Sequence, residues 1–252
     1  SGGTGRRLLE AAALSNLKRV YLELGGKSPN IVFADAPNLD EAAKVSAHGI
    51  FRNSGQVCIA GSRILVERSI HAEFVEKLAA HAAAIKVGDP LDTATQSGAV
   101  NSERQLLQNL RFVDEAREAG RQVIGGLRIL QETGGYYMSP AIVADAGRED
   151  RVFREEVFGP VVTVTPFDTD DEAVALANDT SYGLAAAVWT SNLSRAHRMV
   201  RRIRAGLVHV NTYGGSDLTV PLGGVKQSGN GHDKSLHAFD KFLDLKTAWV
   251  KL

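Results

Sequence analysis

The 252-residue sequence is short of several features, and each shortage excludes a class of protein. One cysteine cannot form a disulfide within the chain, so a disulfide-stapled scaffold is excluded. No uninterrupted apolar run of about 18 residues and no hydrophobic leader is found, so neither a transmembrane helix nor a signal peptide is predicted. The 29 basic and 29 acidic residues cancel, so no overall field attracts nucleic acid or an anionic membrane. We therefore predict a soluble, cytoplasmic protein.

The rest of the composition is that of an ordinary globular chain. Hydrophobic residues make up 44% and charged residues 23%, which argues against disorder and allows a full core in one domain or two. The chain opens Ser1-Gly2-Gly3-Thr4-Gly5 without an initiator methionine. This opening predicts that the chain is processed or is part of a longer one.

Apolar residues recur in patterns typical of strands that alternate with helices. We predict strands at residues 18–24, 31–34, 63–67, 161–164, 186–189, 207–210 and 242–252. We predict helices at 6–14, 102–119, 171–178 and 194–204, one capped by Asn38 and one beginning at Ser69. Strands separated by helices form a mostly parallel open sheet flanked by helices, an α/β fold. Such sheets usually bind ligands beyond the carboxyl ends of their strands.

Cys58 is the first candidate for chemistry. It ends the segment Phe51-Arg52-Asn53-Ser54-Gly55-Gln56-Val57-Cys58, which we predict to be a loop between a helix and a strand. A lone cysteine is more often an inert buried side chain than a nucleophile. A nucleophile needs a lowered pKa and access, and sequence shows neither, so both interpretations stand on the residues alone.

Two acidic segments are candidate partners. Glu23 interrupts the apolar run Val20-Tyr21-Leu22-Glu23-Leu24 before a double glycine. It either faces inward as a general base with a raised pKa, or points to solvent from an edge strand. In Glu155-Glu156-Val157-Phe158-Gly159-Pro160, the acids either hold ribose hydroxyls while Phe158 lies against a planar ring, or belong to a polar loop. The residues by themselves favour the loop.

Three other features are interpreted as structural. The arginines of the predicted helix at 194–204 are typical of a solvated face, since no aromatic residues are interleaved as on a nucleic-acid-binding surface. His71 and His81 share a helix without an acidic or cysteine partner at ligand spacing, so no metal site is predicted. The glycine-rich start before a helix is only a weak phosphate-binding signal.

Four motifs, in order along the chain, resemble those of the aldehyde dehydrogenase superfamily. Phe51, Asn53, Gly55, Gln56 and Cys58 match its cysteine motif. The others are Leu22-Glu23-Leu24-Gly25-Gly26-Lys27-Ser28-Pro29 for the glutamate motif, Glu155-Glu156-Val157-Phe158-Gly159-Pro160 for the nicotinamide-side motif, and Pro221-Leu222-Gly223-Gly224 with Lys226-Gln227-Ser228-Gly229 for the C-terminal signature. Segments 189–197 and 228–235 are most similar to γ-glutamyl-γ-aminobutyraldehyde dehydrogenases.

The resemblance implies oxidation of an aldehyde, which could be an aminoaldehyde, to its carboxylic acid. Catalytic Cys58 would form a thiohemiacetal and then a thioester, with hydride passing to NAD (NADP is the alternative), and catalytic Glu23 would activate the hydrolytic water. The resemblance also implies cofactor contacts at Glu156, Phe158, Ser1, Leu24 and Gly25, and a substrate pocket at Val57, Ile59 and Leu222. It implies no metal and a homo-oligomer, either dimer or tetramer.

The resemblance further implies the family's catalytic-domain fold in three parts. Residues 1–24 would end a dinucleotide-binding domain whose bulk lies upstream, 25–227 would be the catalytic domain, and 228–252 would carry an oligomerisation strand. Leu222 and Val225 stand where many members carry Phe and Tyr, which leaves substrate preference open. Two other functions stay open: an inactive C-terminal fragment that self-associates without binding cofactor, and a thiol esterase that works without NAD.

Overall fold

The structure, a computed structural model, describes residues 1–215 and 217–252, in which strands and helices alternate along most of the chain. The α-helices are α1 Gly2–Ala13, α2 Leu39–Phe51, α3 His71–Ala83, α4 Glu103–Glu118, α5 Arg151–Arg154, α6 Asp170–Asn178 and α7 Leu193–Arg202. The strands are β1 Pro29–Val32, β2 Arg63–Glu67, β3 Gln122–Gly125, β4 Arg128–Ile129, β5 Tyr137–Met138, β6 Ala141–Ala144, β7 Val161–Phe167, β8 Ala185–Trp189, β9 Leu207–Val210, β10 Leu222–Gly223 and β11 His232–Asp233.

One open sheet organises the molecule, with strands in the order β3-β6-β7-β2-β1-β8-β9. Neighbouring strands are parallel except β3 and β6, which pair antiparallel at one edge. Two short antiparallel pairs, β4 with β5 and β10 with β11, lie outside this sheet. The predicted mostly parallel open sheet flanked by helices is confirmed.

Helices cover both faces of the sheet because successive strand residues point to opposite sides. Val32 of β1 packs in a cluster with Phe51 of α2 and Phe74 of α3. Ile31, the residue before it, packs on the other face with Met199 of α7. Burial of each large apolar side chain in such clusters stabilises the fold by roughly 1.5–3 kcal/mol.

A fully buried arginine ties the strands to the segment that precedes them. Arg63, the first residue of β2, donates from Nε to the Lys27 carbonyl at 3.0 Å. It also donates to the carbonyls of Leu176 and Ala177 in α6 at 2.9 and 2.8 Å. These three hydrogen bonds satisfy the guanidinium inside the protein and fix the backbone just ahead of β1.

The strand predicted at residues 18–24 was wrong. This segment has no regular secondary structure beyond one antiparallel bridge between Glu23 and Gly229. The Leu24 N–H donates to the Ser228 carbonyl at 2.9 Å, so the segment pairs with a distant loop and not with a strand of the sheet.

The prediction of a strand at residues 242–252 was also wrong. The six-residue 3₁₀ helix Leu236–Lys241 precedes a tail that forms neither helix nor strand. Leu245, Trp249 and Leu252 in this tail are exposed, and no strand within residues 1–215 and 217–252 pairs with the tail. Within the described residues, no helix has the length and apolar character needed to cross a membrane.

Candidate active site

The candidate residues lie on loops at one edge of the sheet. Glu23 comes shortly before β1, Cys58 before β2 and Glu156 before β7, and these three strands are parallel neighbours. The candidate site is therefore beyond the amino ends of the strands. These three side chains do not follow the usual tendency of such sheets to bind ligands beyond the carboxyl ends of their strands, because each stands in a connection that enters a strand.

The loop that carries Cys58 follows a left-handed path. Residues 53–55 come directly after α2 and have φ angles of 51°, 55° and 70°. A Cβ on Gly55 would collide with the Gly159 carbonyl oxygen, so the loop needs glycine at this position for both conformation and space. Gly159 belongs to the loop that carries Glu156. The close packing of Gly55 against Gly159 therefore brings the Cys58 loop and the Glu156 loop into contact.

Cys58 is half-buried in a turn, and a tyrosine from beyond β9 supports that turn. The Tyr213 hydroxyl donates to the Ile59 carbonyl at 2.6 Å. Burial and then the Glu23 charge raise the pKa of the Cys58 thiol, while backbone N–H groups of Ile59 and Cys58 hydrogen-bond the sulphur and oppose this rise. The resting side chain is therefore a thiol near neutral pH.

The Glu23 carboxylate faces Cys58. Its Oε2 lies 3.9 Å from Cys58 Sγ, and its Oε1 is shielded from solvent without a hydrogen-bond partner among the described residues. Burial and then the charge of Asp233 raise the pKa of Glu23, and the hydrogen bond from the thiol lowers it. Lys241 contacts Asp233 and partly balances that charge. The geometry matches the inward-facing interpretation and not the edge-strand one.

The Glu156 carboxylate lies on the double glycine that follows Glu23. Its Oε1 accepts a hydrogen bond from the Gly26 N–H at 3.0 Å, and a Cβ on Gly25 would collide with its Oε2. Burial raises the pKa of Glu156, and the Gly26 N–H and the nearby Lys27 charge oppose this. The backbone of Phe158 is left-handed with φ 55°, and the residue is 37% exposed, so part of it is accessible beside the carboxylate loop.

The other predicted site residues divide into two groups. Ser1 caps α1, accepting from the Thr4 N–H at 3.4 Å, and α1 packs on the glutamate segment: a Cβ on Gly5 would lie 3.0 Å from Leu24 Cδ1. The three predicted pocket residues share one apolar cluster with Cys58 and with residues of β8 and β9. They are Val57, Ile59 and Leu222.

Two residues that position the site had no role in the sequence interpretation. The Ser228 hydroxyl accepts from the Gly183 N–H at 3.0 Å and donates to the Gly25 carbonyl at 2.8 Å, so it joins the C-terminal motif to the glutamate segment. Its place in a matched motif was a signal that could have found it. Lys27, from the glutamate motif, is fully buried, its Nζ has no hydrogen-bond partner among the described residues, and burial lowers its pKa to about 7.

The features interpreted as structural have structural partners. On α7, Arg195 pairs with Asp35 at 2.9 Å and Arg198 with Asp170 at 3.2 Å. His81 lies 3.0 Å from Asp40. In the part of the chain that the structure describes, no group of three or more His, Cys, Asp or Glu side chains is arranged to hold a metal ion.

Comparisons with known proteins identify relatives of this chain. The pattern of the aldehyde dehydrogenase family matches residues 1–248. An NADP/NAD-dependent aldehyde dehydrogenase of Escherichia coli strain K12 is 50% identical over 249 residues, which are 99% of this chain and 50% of that protein. The solved structure of an indole-3-acetaldehyde dehydrogenase complexed with NAD⁺ is 52% identical, with a TM-score of 0.98, over 100% of this chain and 51% of that one.

A third relative has a more specific name. The γ-glutamyl-γ-aminobutyraldehyde dehydrogenase of Burkholderia cenocepacia is 52% identical, with a TM-score of 0.93, over 96% of this chain and 49% of that protein. The present chain thus spans about half the length of the relatives that it matches.

Proposed function

The chain belongs to the aldehyde dehydrogenase family, and we propose that it holds the reacting groups of an enzyme that oxidises an aldehyde to its carboxylic acid with NAD or NADP. The observation that carries the proposal is the 3.9 Å approach of Cys58 Sγ to Glu23 Oε2. This oxidation needs a nucleophile that holds the carbonyl carbon and a base that later activates water, and a thiol beside a partly buried carboxylate supplies both.

Cys58 is the proposed nucleophile. Its thiol loses a proton to solvent, and the thiolate adds to the aldehyde carbon to give a thiohemiacetal. The carbonyl oxygen becomes an oxyanion, which the Cys58 backbone N–H stabilises in part. The short Tyr213 hydrogen bond to the Ile59 carbonyl keeps the turn in place during this step.

Glu156 is the proposed contact for the nicotinamide side of the dinucleotide. Its carboxylate, already held by Gly26, would accept hydrogen bonds from the nicotinamide-side ribose, and Phe158 would pack near the ring. Gly25, Leu24 and Ser1 complete the proposed set of contacts along the glutamate segment and the start of α1. NAD or NADP held there would supply the hydride acceptor, and Cys58 would then hold the substrate carbon as a thioester.

Glu23 is the proposed base for the second half of the reaction. A carboxylate whose pKa is raised by burial takes a proton from water more readily than an ordinary one near neutral pH. The resulting hydroxide attacks the thioester carbon, the C–S bond breaks, and the carboxylic acid leaves. The Cys58 thiolate then takes from Glu23 the proton that Glu23 took from water, which restores the thiol. Glu23 Oε1, which has no hydrogen-bond partner among the described residues, is the proposed acceptor for that water.

The substrate proposed is a small aldehyde, with an aminoaldehyde as the specific class. Val57, Ile59 and Leu222 would contact its apolar part, since they share a cluster with the Cys58 side chain. The name of the Burkholderia relative, which is 52% identical, supports the aminoaldehyde class.

The proposed organisation of the chain has three parts. Residues 25–227 form the catalytic domain, residues 1–24 end a dinucleotide-binding domain, and residues 228–252 carry the contact between subunits of a dimer or tetramer. The exposed apolar side chains of Leu245, Trp249 and Leu252 support a subunit contact, because large apolar surfaces favour association.

The direct experiment is NADH formation from γ-aminobutyraldehyde and from propanal, comparing the chain with its Cys58→Ala and Cys58→Ser variants. We expect turnover by the parent chain alone. If folded parent chain gives none and binds no dinucleotide, the chain is the inactive, self-associating form of the fold. A thiol esterase is the second candidate, because Cys58 and Glu23 are both present: it predicts ester hydrolysis without NAD that disappears in Cys58→Ala.

A further inference from the structure

A basic cavity of about 430 Å³ lies beside the Cys58 loop. Its walls come from α2, α3 and the segment after β9. The side chains that matter for its chemistry are Lys44, His48, Arg52, His81, Thr212 and Tyr213. Four of these six can carry positive charge, although the chain as a whole has none in excess.

Two of the cations already have acidic partners. Lys44 lies 3.8 Å from Glu41, and His81 lies 3.0 Å from Asp40. His48 is exposed, so water solvates its imidazole. Among the residues that the structure describes, the permanent charge in the cavity that no acidic side chain balances is that of Arg52.

Arg52 has no partner among residues 1–215 and 217–252. Its side chain makes neither a hydrogen bond nor an ion pair there, and its Nε is shielded from solvent with no acceptor. A shielded guanidinium N–H without an acceptor is unfavourable, and a planar carboxylate is the group that matches the guanidinium fork with two parallel hydrogen bonds. The cavity therefore provides one anchor for one carboxylate.

The cavity and the candidate active site share a wall. Tyr213 lines the cavity, and its hydroxyl donates to the Ile59 carbonyl next to Cys58. Burial raises the pKa of Tyr213, and the Arg52 charge opposes this rise, which places the hydroxyl within electrostatic range of Arg52. A group bound at Arg52 is thus near the reacting end of the protein.

We propose that this cavity binds a carboxylate through Arg52. The carboxylate belongs either to the far end of an aldehyde substrate or to a separate dicarboxylate ligand. In the first case the inference rests on the proposed function and specifies its substrate class, an aldehyde that also carries a carboxylate. In the second case the site acts independently of aldehyde chemistry.

Calorimetric titration with glutarate tests the site without any turnover. We expect glutarate to bind the 252-residue chain, glutaramide to bind much more weakly, and Arg52→Gln to weaken glutarate binding by about tenfold or more. Arg52→Lys should bind glutarate with an affinity between those of the parent chain and Arg52→Gln. It keeps the positive charge but loses the two parallel hydrogen bonds of the guanidinium. The matched control is Arg104→Gln, an exposed arginine of α4, which should bind as the parent does, and thermal melting checks that each variant is folded. No glutarate binding, or equal binding by Arg52→Gln, would overturn the proposal.

Kinetics then identify the source of the carboxylate. If it is the substrate's own, Arg52→Gln raises KM for 4-oxobutanoate by about tenfold more than KM for butanal, and glutarate competes with 4-oxobutanoate. If it is a separate ligand, glutarate binds without competing. Either result supports the site. Arg52-dependent glutarate binding by a chain that oxidises neither aldehyde would reject the proposed function and leave the site in place, whereas oxidation without Arg52 dependence in either assay would reject the site alone.

Discussion

Cys58 Sγ lies 3.9 Å from Glu23 Oε2, although 35 residues separate them in the sequence. They meet because β1 and β2 are parallel neighbours, so the loops that enter these strands lie side by side. The proton of the pair is on sulphur: after burial, the Glu23 charge is the next cause that raises the pKa of Cys58, and the thiol hydrogen bond lowers the pKa of Glu23. The resting pair is a thiol beside a carboxylate.

The first prediction concerns alkylation of Cys58 by iodoacetamide, which is site-specific because the chain has one cysteine. Glu23→Gln removes a negative charge that disfavours the thiolate, so the pH midpoint of alkylation should move down and the rate at pH 8 should rise several-fold. Glu155→Gln, at an exposed carboxylate paired with Arg151, is the control and should leave the midpoint unchanged. A midpoint that stays or rises in Glu23→Gln would contradict the pairing.

The second prediction concerns dinucleotide binding. Gly25→Ala puts a Cβ where the Glu156 carboxylate lies, so the carboxylate must move, and we expect NAD to bind about tenfold or more weakly. Gly3→Ala is the matched control, since a Cβ there meets nothing within 4 Å. Fluorescence titration measures both constants, with circular dichroism to check folding. Equal affinity of Gly25→Ala and the parent chain would remove Glu156 from the cofactor site.

Local patterns predicted much of the fold. β2 lies at the predicted residues 63–67, and Asn38 caps α2 by accepting a hydrogen bond from the Glu41 N–H. Both features could be predicted because strand periodicity and helix capping depend on residues that are close together in the sequence. The segment 18–24 was predicted wrongly for the opposite reason. Its apolar run is the same whether it joins a sheet or pairs with a loop around Gly229, and only the folded chain decides between them.

The site was predicted in part for a similar reason. Motif membership singled out Cys58, Glu23 and Glu156, but the placement of the site at the amino ends of the strands depends on strand order, which no local pattern contains. Tyr213 and Arg52 carried no motif signal, since their roles come from contacts across the fold.

The third prediction concerns stability against pH and Lys27, whose pKa is lowered to about 7 by burial, with the Arg63 charge as a second cause. Between about pH 7 and the unfolded pKa near 10.4, the unfolded chain binds a proton there that the folded chain does not, so this group makes stability rise with pH. Lys27→Met removes that dependence. The free energy of unfolding of Lys27→Met should exceed that of the parent chain most at pH 7 and below. By pH 9.5 this difference should shrink by an amount on the order of 3 kcal/mol.

Urea unfolding at pH 6.5 and pH 9.5 measures this difference for Lys27→Met and the parent chain. Lys18→Met, at an exposed lysine, is the control. Its free energy of unfolding should differ from that of the parent chain by the same small amount at both pH values. A Lys27→Met advantage that does not change with pH would show that the lysine stays protonated in the folded chain.

The fourth prediction concerns the Tyr213 hydroxyl. Tyr213→Phe removes its 2.6 Å hydrogen bond and leaves the Ile59 carbonyl without that donor, which should cost about 1–3 kcal/mol of unfolding free energy. It should also slow aldehyde-dependent acylation of Cys58, because the turn loses its support. Tyr137→Phe, a buried tyrosine whose hydroxyl makes no hydrogen bond to a described residue, should change stability by less than about 0.5 kcal/mol. Equal effects of the two substitutions in urea unfolding would reject a special role for Tyr213.

The most direct measurement of the central claim is the pre-steady-state time course of Glu23→Gln with aldehyde and NAD, followed by NADH absorbance and by the intact mass of the quenched protein. We predict a burst of NADH approaching one per active site, then a steady rate about tenfold or more below that of the parent chain, with the acyl group held on Cys58 as a thioester. Burst and steady rates that fall by the same factor, with no acyl adduct on Cys58, would contradict the account.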